Sequence, residues 1–230
     1  MLTIRNYIAK KIYDYRGAIL IVVLVFSMRW SFADHYRVPS GSMIPTIHIG
    51  DHLLVNKVAY DIKLPFTDIV LVDTGTPERG EIIVFKYPKD PSVNYVKRLI
   101  GLPGDTIEIL NGFLKINGKT TLVRSEYFQE NLERLYHETS EFSYNEKIEG
   151  REFNVQRIPN LTREHYMKFV VPKDMYFFMG DNRDNSRDSR EWGFVPREHL
   201  KGRVANVTFS MVFDGIFPKI DLSRSGKKLI

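Results

Sequence analysis

The chain has 230 residues, 43% hydrophobic and 27% charged, close to ordinary globular usage, which excludes a mostly disordered chain, a collagen-like repeat and a polytopic membrane protein. Its 33 Lys and Arg against 28 Asp and Glu leave a formal charge of +5, which suits a surface near anionic lipid and is too small to argue for nucleic acid. There is no cysteine, so thiol nucleophiles, disulfides and cysteine-based zinc sites are excluded.

Gly17 to Ala33 reads GAILIVVLVFSMRWSFA, with Arg29 as its only charge. A helix of that length spans about 25 Å, against a hydrocarbon core of about 30 Å. Trp30 suits an interface, and Arg29 can snorkel to water. Arg5, Lys10, Lys11 and Arg16 precede the segment, opposed only by Asp14. The positive-inside rule then places residues 1–16 in the cytoplasm and everything after residue 33 on the far side. A cleavable signal peptide competes with an anchor, because Ser31-Phe32-Ala33 also reads as a small-residue cleavage site. Position favours retention at 17–33: Ser42 follows Ala33 by nine residues, a reach of at most about 30 Å.

The remainder reads as β-rich. Strands are expected over Asp51 to Lys57, Glu81 to Tyr87, Asn94 to Ile100, Thr106 to Leu110 and Phe113 to Ile116. Asn111-Gly112 marks a hairpin turn. Phe169 to Val171, Met175 to Met179 and Val204 to Phe213 continue the pattern. Short strands punctuated by Gly and Pro suggest a mainly β fold, barrel-like, built of folded antiparallel sheets. Residues 119–168 are polar and less regular, with Arg124 to Tyr136 possible as a helix. The expected organisation is a catalytic domain over 34–118 and 169–230, interrupted by a small inserted subdomain at 119–168.

Three segments stand out chemically. Val38-Pro39-Ser40-Gly41-Ser42-Met43-Ile44-Pro45-Thr46 sets two hydroxyls around a glycine and between two prolines, a bend that can present a side chain. In Asn94 to Asp105, alternation puts Tyr95, Lys97 and Leu99 on one face and Val96, Arg98 and Ile100 on the other. Burial of the first face would lower the Lys97 pKa and let it serve as a general base, against the commoner reading of a lysine that snorkels at a strand edge. Gly180 to Arg190 (GDNRDNSRDSR) alternates charges between two apolar runs, so its charges are expected to pair internally. An EF-hand starting at Asp181 fails, since Arg183 and Trp192 would fall at ligand positions. The six histidines form no spaced metal pair, and no metal site is expected. Ser225-Gly226-Lys227-Lys228 matches a serine-x-x-lysine string only formally, in a basic tail.

Together, in this order, the three blocks resemble the bacterial type I signal peptidases, or leader peptidases. The resemblance covers about 36–118 and 169–224, with Gly80 to Tyr87 (GEIIVFKY) similar to the family's strand before the lysine. It implies a membrane-tethered serine–lysine endopeptidase that cuts signal peptides from exported preproteins after an Ala-x-Ala-like site. By motif, Ser42 is the nucleophile and Lys97 the general base. Ser40 and the Ser42 backbone N–H form the oxyanion hole. Ser186 orients the lysine, and Asp188 and Arg190 form a supporting ion pair. Val38, Pro39, Met43, Ile47, Tyr95 and Val96 resemble the walls of the two shallow substrate pockets, and Tyr36, Leu53 and Val84 the lining of the deeper one. No cofactor and no metal are implied. The implied partners are preproteins, the lipid bilayer and the protein-export translocon, with no nucleic acid. The implied location is the bacterial cytoplasmic membrane, single-pass, with the catalytic domain outside. A catalytically silent exported homologue acting as a binding or scaffold protein is the alternative. A self-cleaving serine–lysine repressor fits less well, since the chain has an export segment and no DNA-binding helix pair.

Overall fold

The computed structural model describes residues 7, 11, 13–64, 67, 69–123, 141–158, 166–213, 218–227 and 229. The expected helix over Arg124 to Tyr136 lies outside them. The apolar N-terminal segment forms helix α1 (Arg16–Phe32), of 17 residues. At about 1.5 Å per residue it falls short of the hydrocarbon thickness. No helix among the described residues is long and apolar enough to cross a membrane, so the expected spanning helix is not found. Ile19, Leu20, Ile21, Val22, Val23 and Val25 on α1 are all exposed.

Strands dominate the rest. They are β1 (Ala33–Arg37), β2 (Asp51–Asn56), β3 (Asp61–Lys63), β4 (Val70–Asp73), β5 (Ile82–Tyr87) and β6 (Asp90–Gly101). There follow β7 (Thr106–Leu110), β8 (Phe113–Ile116), β9 (Lys119–Thr120), β10 (Phe142–Ile148) and β11 (Arg151–Arg157). The last are β12 (Met167–Val170), β13 (Met175–Met179), β14 (Val195–Pro196), β15 (Leu200–Phe213) and β16 (Pro218–Asp221). A short helix, α2 (Ser189–Trp192), lies between β13 and β14.

The main sheet has 8 strands in the order β1-β2-β15-β5-β6-β13-β14, with β16 added to β15. Its neighbours are antiparallel throughout. The sheet is open, with β1 and β14 at its ends, so the barrel-like expectation gives way to an open sheet carrying smaller ones. A 4-stranded sheet follows the order β12-β7-β8-β9, and β3–β4 and β10–β11 are separate hairpins. Period-2 alternation divides the core. From β5, Ile82 and Val84 enter a cluster with Val38, Met43, Ile47, Leu53 and Val55. Ile83 and Phe85 enter another with Tyr60, Leu99, Phe178 and Trp192.

The two-residue turn at Asn111-Gly112 has φ of 48° and 76°, the left-handed pair that a tight hairpin requires. Between β10 and β11, Glu149 and Gly150 repeat the arrangement at 48° and 86°. The β10–β11 hairpin packs into a third cluster, where Phe142, Tyr144, Ile148, Phe153 and Val155 meet Ile100, Ile107, Phe177 and Met179. Phe153 also lies under the buried Arg98 guanidinium, 3.8 Å from its ring centroid. Phe153→Ala removes a buried ring and that contact together. It is expected to cost about 3–5 kcal/mol of stability, read as a lowered midpoint in denaturant melts. An unchanged midpoint would contradict this packing.

Candidate active site

The turn that carries Ser42 is closed at its neck by β-type hydrogen bonds: Val38 N–H donates to Asp51 O (2.9 Å) and Gly50 N–H to Val38 O (2.9 Å). Within it, Ile44 N–H donates to Gly41 O (3.1 Å) and Ile47 N–H to Met43 O (2.9 Å). Met43 and Ile47 are buried and fix one side of the turn in the core. Ser42 is left at its half-buried rim.

Lys97 comes from the middle of β6, paired opposite Ile83. Its side chain is buried, and Nζ lies 2.5 Å from Ser42 Oγ. That is its one hydrogen bond among the described residues. The Tyr95 ring sits beside the amine, 5.5 Å from Nζ to the centroid. Burial pushes the amine down from its ordinary 10.5 to about 8, while the Asp188 and Asp181 carboxylates oppose the shift. Burial disfavours the charged form because the ammonium leaves water. Ser40 Oγ is 3.5 Å from Ser42 Oγ.

The charged loop after β13 closes the site. Asn182 N–H donates to Ser42 O (3.2 Å), and Asn182 Nδ2 donates to Gly41 O (3.2 Å). Gly180 is required at this approach, since a Cβ there would collide with both Ser42 O and the Ser186 hydroxyl. Ser186 Oγ is buried beside Gly180 and makes no hydrogen bond to Lys97. Each charge of the loop is matched. Asp181 receives Arg98 through Nε (2.8 Å) and Nη2 (2.7 Å), with both side chains 0% exposed. Thr46 Oγ1 donates to the same carboxylate at 2.5 Å. Arg183 forms a two-pronged, buried pair with Glu146 of β10. Asp184 receives Arg157 Nε of β11 and Ile158 N–H, each at 2.8 Å. Asp188 receives Arg190 through Nε (2.8 Å) and Nη2 (2.7 Å), and Gly180 N–H at 2.9 Å. Burial alone would raise the Asp188 carboxyl, but the Arg190 charge and these hydrogen bonds hold it below the usual range.

The structure brings Ser40, Ser42 and Lys97 together, with Ser186, Asp188 and Arg190 on the adjoining loop. Of the expected pocket walls, Val38, Met43, Ile47, Leu53 and Val84 are buried in one cluster, with Tyr36 and Val96 packed against it. Tyr95 instead joins the Phe85–Trp192 cluster, and Pro39 is exposed. Sequence reasoning missed the partners that hold this site. Glu146 and Arg157 lie in the segment read as irregular. Arg224, in the basic tail, donates through Nη2 to Thr46 O (3.0 Å) and Asp51 Oδ2 (3.0 Å). Asp51 is fully buried and also receives His48 N–H at 2.9 Å. The tail thus clamps the turn that carries Ser42. The alternation of charge in the loop points to pairing within it, which Asp188–Arg190 shows, whereas Asp181, Arg183 and Asp184 pair with residues outside it.

Residues 13–209 match the family described as signal peptidase, peptidase S26. A signal peptidase I of Pseudomonas fluorescens is 38% identical over 214 residues, covering 84% of this chain and 69% of its own. One from Aquifex aeolicus (strain VF5) is 34% identical over 231 residues, covering 87% of this chain and 85% of its own. A solved signal peptidase I from Enterococcus faecalis V583 is 35% identical, covering 56% of this chain and 96% of its own, at a TM-score of 0.35. The chain is therefore a peptidase of the S26 class. It belongs to the signal peptidase family.

The lowered amine also has a consequence for folding. Between about pH 8 and its ordinary 10.5, the unfolded chain holds a proton on Lys97 that the folded chain has released. Stability from this group therefore rises with pH across that window, and its burial cost is fully present below it. Lys97→Met is expected to melt above wild type at pH 6–7, with the gap shrinking toward pH 10. A gap independent of pH would show that the amine is not desolvated.

Proposed function

We propose that this chain is a serine endopeptidase that removes signal peptides from exported preproteins, with Ser42 as nucleophile and Lys97 as general base. The observation that carries this reading is the buried Lys97 amine within hydrogen-bond reach of the Ser42 hydroxyl. A serine hydroxyl is a weak nucleophile until a base takes its proton. A lysine does so only when neutral, and desolvation supplies that condition. With the amine neutral, the Ser42 O–H donates to its lone pair. Oγ then attacks the scissile carbonyl as the proton moves to Nζ. The oxyanion is stabilised by the Ser42 backbone N–H and the Ser40 hydroxyl. Collapse expels the new amino terminus, which takes the proton from the Lys97 ammonium. A water deprotonated by Lys97 then releases the acyl group and restores Ser42.

Ser186 is the proposed orienting hydroxyl, and the Asp188–Arg190 pair holds the loop that presents it. The names of the relatives support preproteins as substrates. Val38, Met43, Ile47, Leu53, Val84 and their neighbours Tyr36, Pro39, Tyr95 and Val96 are proposed as apolar walls that admit small residues one and three places before the cut. An extended substrate can pair with a strand edge through its main chain. Helix α1, with its apolar side chains exposed, is proposed as the membrane attachment, holding the site at the outer face where exported chains emerge. The translocon is a proposed neighbour there.

The test is cleavage of a model preprotein by the full chain. Wild type is expected to cut, with Ser42→Ala and Lys97→Arg each slower by about a thousandfold or more, since guanidinium stays protonated. The logarithm of kcat/KM should rise about one unit per pH unit and flatten above about pH 8, where the free amine is neutral. Ser186→Ala should lower kcat about tenfold to a thousandfold with KM little changed. Failure of wild type to cleave would favour a silent homologue. Wild-type turnover by Lys97→Arg would remove Lys97 from the chemistry.

A further inference from the structure

The β3–β4 hairpin carries apolar side chains that nothing among the described residues covers. Ile69, Val70, Leu71 and Val72 are consecutive, and they are 59%, 49%, 56% and 51% exposed. Consecutive strand residues point alternately to opposite faces, so β4 is apolar and open on both. Leu64, across the hairpin, is exposed as well. A strand of this kind in water invites aggregation, and soluble proteins blunt such edges with charge. Here the paired charges among the described residues lie at the hairpin's base. Arg197 bridges Asp61 (3.0 Å) and Asp73 (3.4 Å) and donates to Tyr60 O (3.0 Å) and Gly75 O (3.2 Å). Lys63 lies 3.8 Å from Asp61. Asp61 and Asp73, at the hairpin's base, are thereby matched by cations.

Helix α1 lies beside β3 and the short turn (Lys57–Ala59) that precedes it. The elements that carry these exposed apolar side chains are therefore adjacent in the fold. We propose that the β3–β4 hairpin is a second membrane-contact element, seated in the lipid surface that takes α1. The inference rests on the membrane attachment proposed for α1. The backbone edge of β4 carries unpaired polar groups that hydrocarbon does not tolerate. The hairpin therefore lies at headgroup depth, with the side chains of Ile69 to Val72 reaching the acyl boundary. One helix alone leaves a domain free to swivel at the surface. A second contact, held to the catalytic domain through Arg197 at the start of the segment leading into β15, fixes its tilt and the height of Ser42.

The absence of cysteine makes the test clean. Single cysteines are introduced in the full chain at Leu71→Cys, Val22→Cys on α1 and Lys173→Cys on an exposed turn, and each is labelled with an environment-sensitive fluorophore. The proteins are reconstituted into phosphatidylethanolamine–phosphatidylglycerol vesicles with nitroxide quenchers at a shallow acyl position. The Leu71 label is expected to shift to the blue and to be quenched several-fold more than the Lys173 label. Ile69→Cys repeats the measurement should a label at 71 disturb the hairpin. Quenching at position 22 but not at 69 or 71 would overturn the hairpin proposal and leave α1 attached. No quenching at position 22 would overturn the attachment of α1 itself. Label-to-label self-quenching at 71, independent of nitroxide lipid, would mean that a second copy covers β4, and would also overturn the proposal.

Discussion

A buried lysine beside two aspartates would ordinarily stay charged, and the site depends on preventing that. Asp181 and Asp188 both act to raise the Lys97 pKa. Each is already taken by an arginine: Asp181 by Arg98, the next residue along β6, and Asp188 by Arg190, two residues along its own loop. With both carboxylates matched, desolvation outweighs their pull and the amine falls to about 8. Strand alternation makes the arrangement economical. Lys97 and Arg98 project to opposite faces of β6, one toward Ser42 and the other into the carboxylate that steadies the closing loop.

The same logic explains why so polar a loop is so buried. Buried ion pairs add little net stability, because desolvation cancels much of their attraction, but breaking one is costly. They specify position more than they stabilise. Arg98, Arg183 and Arg157 reach the loop from, or tie it to, β6, β10 and β11. Asn182, seated between these pairs, donates to the two carbonyls that flank the Ser42 Cα, those of Gly41 and Ser42. Arg224 holds the other end of the turn that carries Ser42 through Thr46 and Asp51. The serine and lysine come from segments 55 residues apart, and these polar clamps set their separation.

The strands that position Ser42 and Lys97 were legible because their side chains obey a simple rule: apolar residues inward, turn residues between. The three chemical blocks were legible by resemblance, with their spacing intact. The β10–β11 hairpin was hidden because two of its inward positions are charged. Phe142, Tyr144, Glu146 and Ile148 face the core on β10, as do Phe153, Val155 and Arg157 on β11. Glu146 and Arg157 break the hydrophobic alternation, and their burial makes sense only beside Arg183 and Asp184 in a distant loop. Glu149, in the left-handed region, is likewise a poor signal for a turn. Arg224 looked like one more cation in a basic tail, since its partners lie at Thr46 and Asp51. The helix and sheet expectations erred in a different way. A mostly apolar stretch of 17 residues suggests an apolar environment without giving a span, and short strands with tight turns suit an open sheet as well as a closed one.

The central claim is that burial lowers the Lys97 amine from its ordinary 10.5 to about 8, so that a useful fraction of it is neutral near physiological pH. Direct titration of its side chain by NMR, with lysine labelled at Cε and the resonance assigned through Lys97→Arg, measures this without reference to turnover. A chemical-shift inflection near pH 8 is the result expected from the buried geometry. An inflection near the ordinary 10.5 would show a solvated ammonium and would contradict the account.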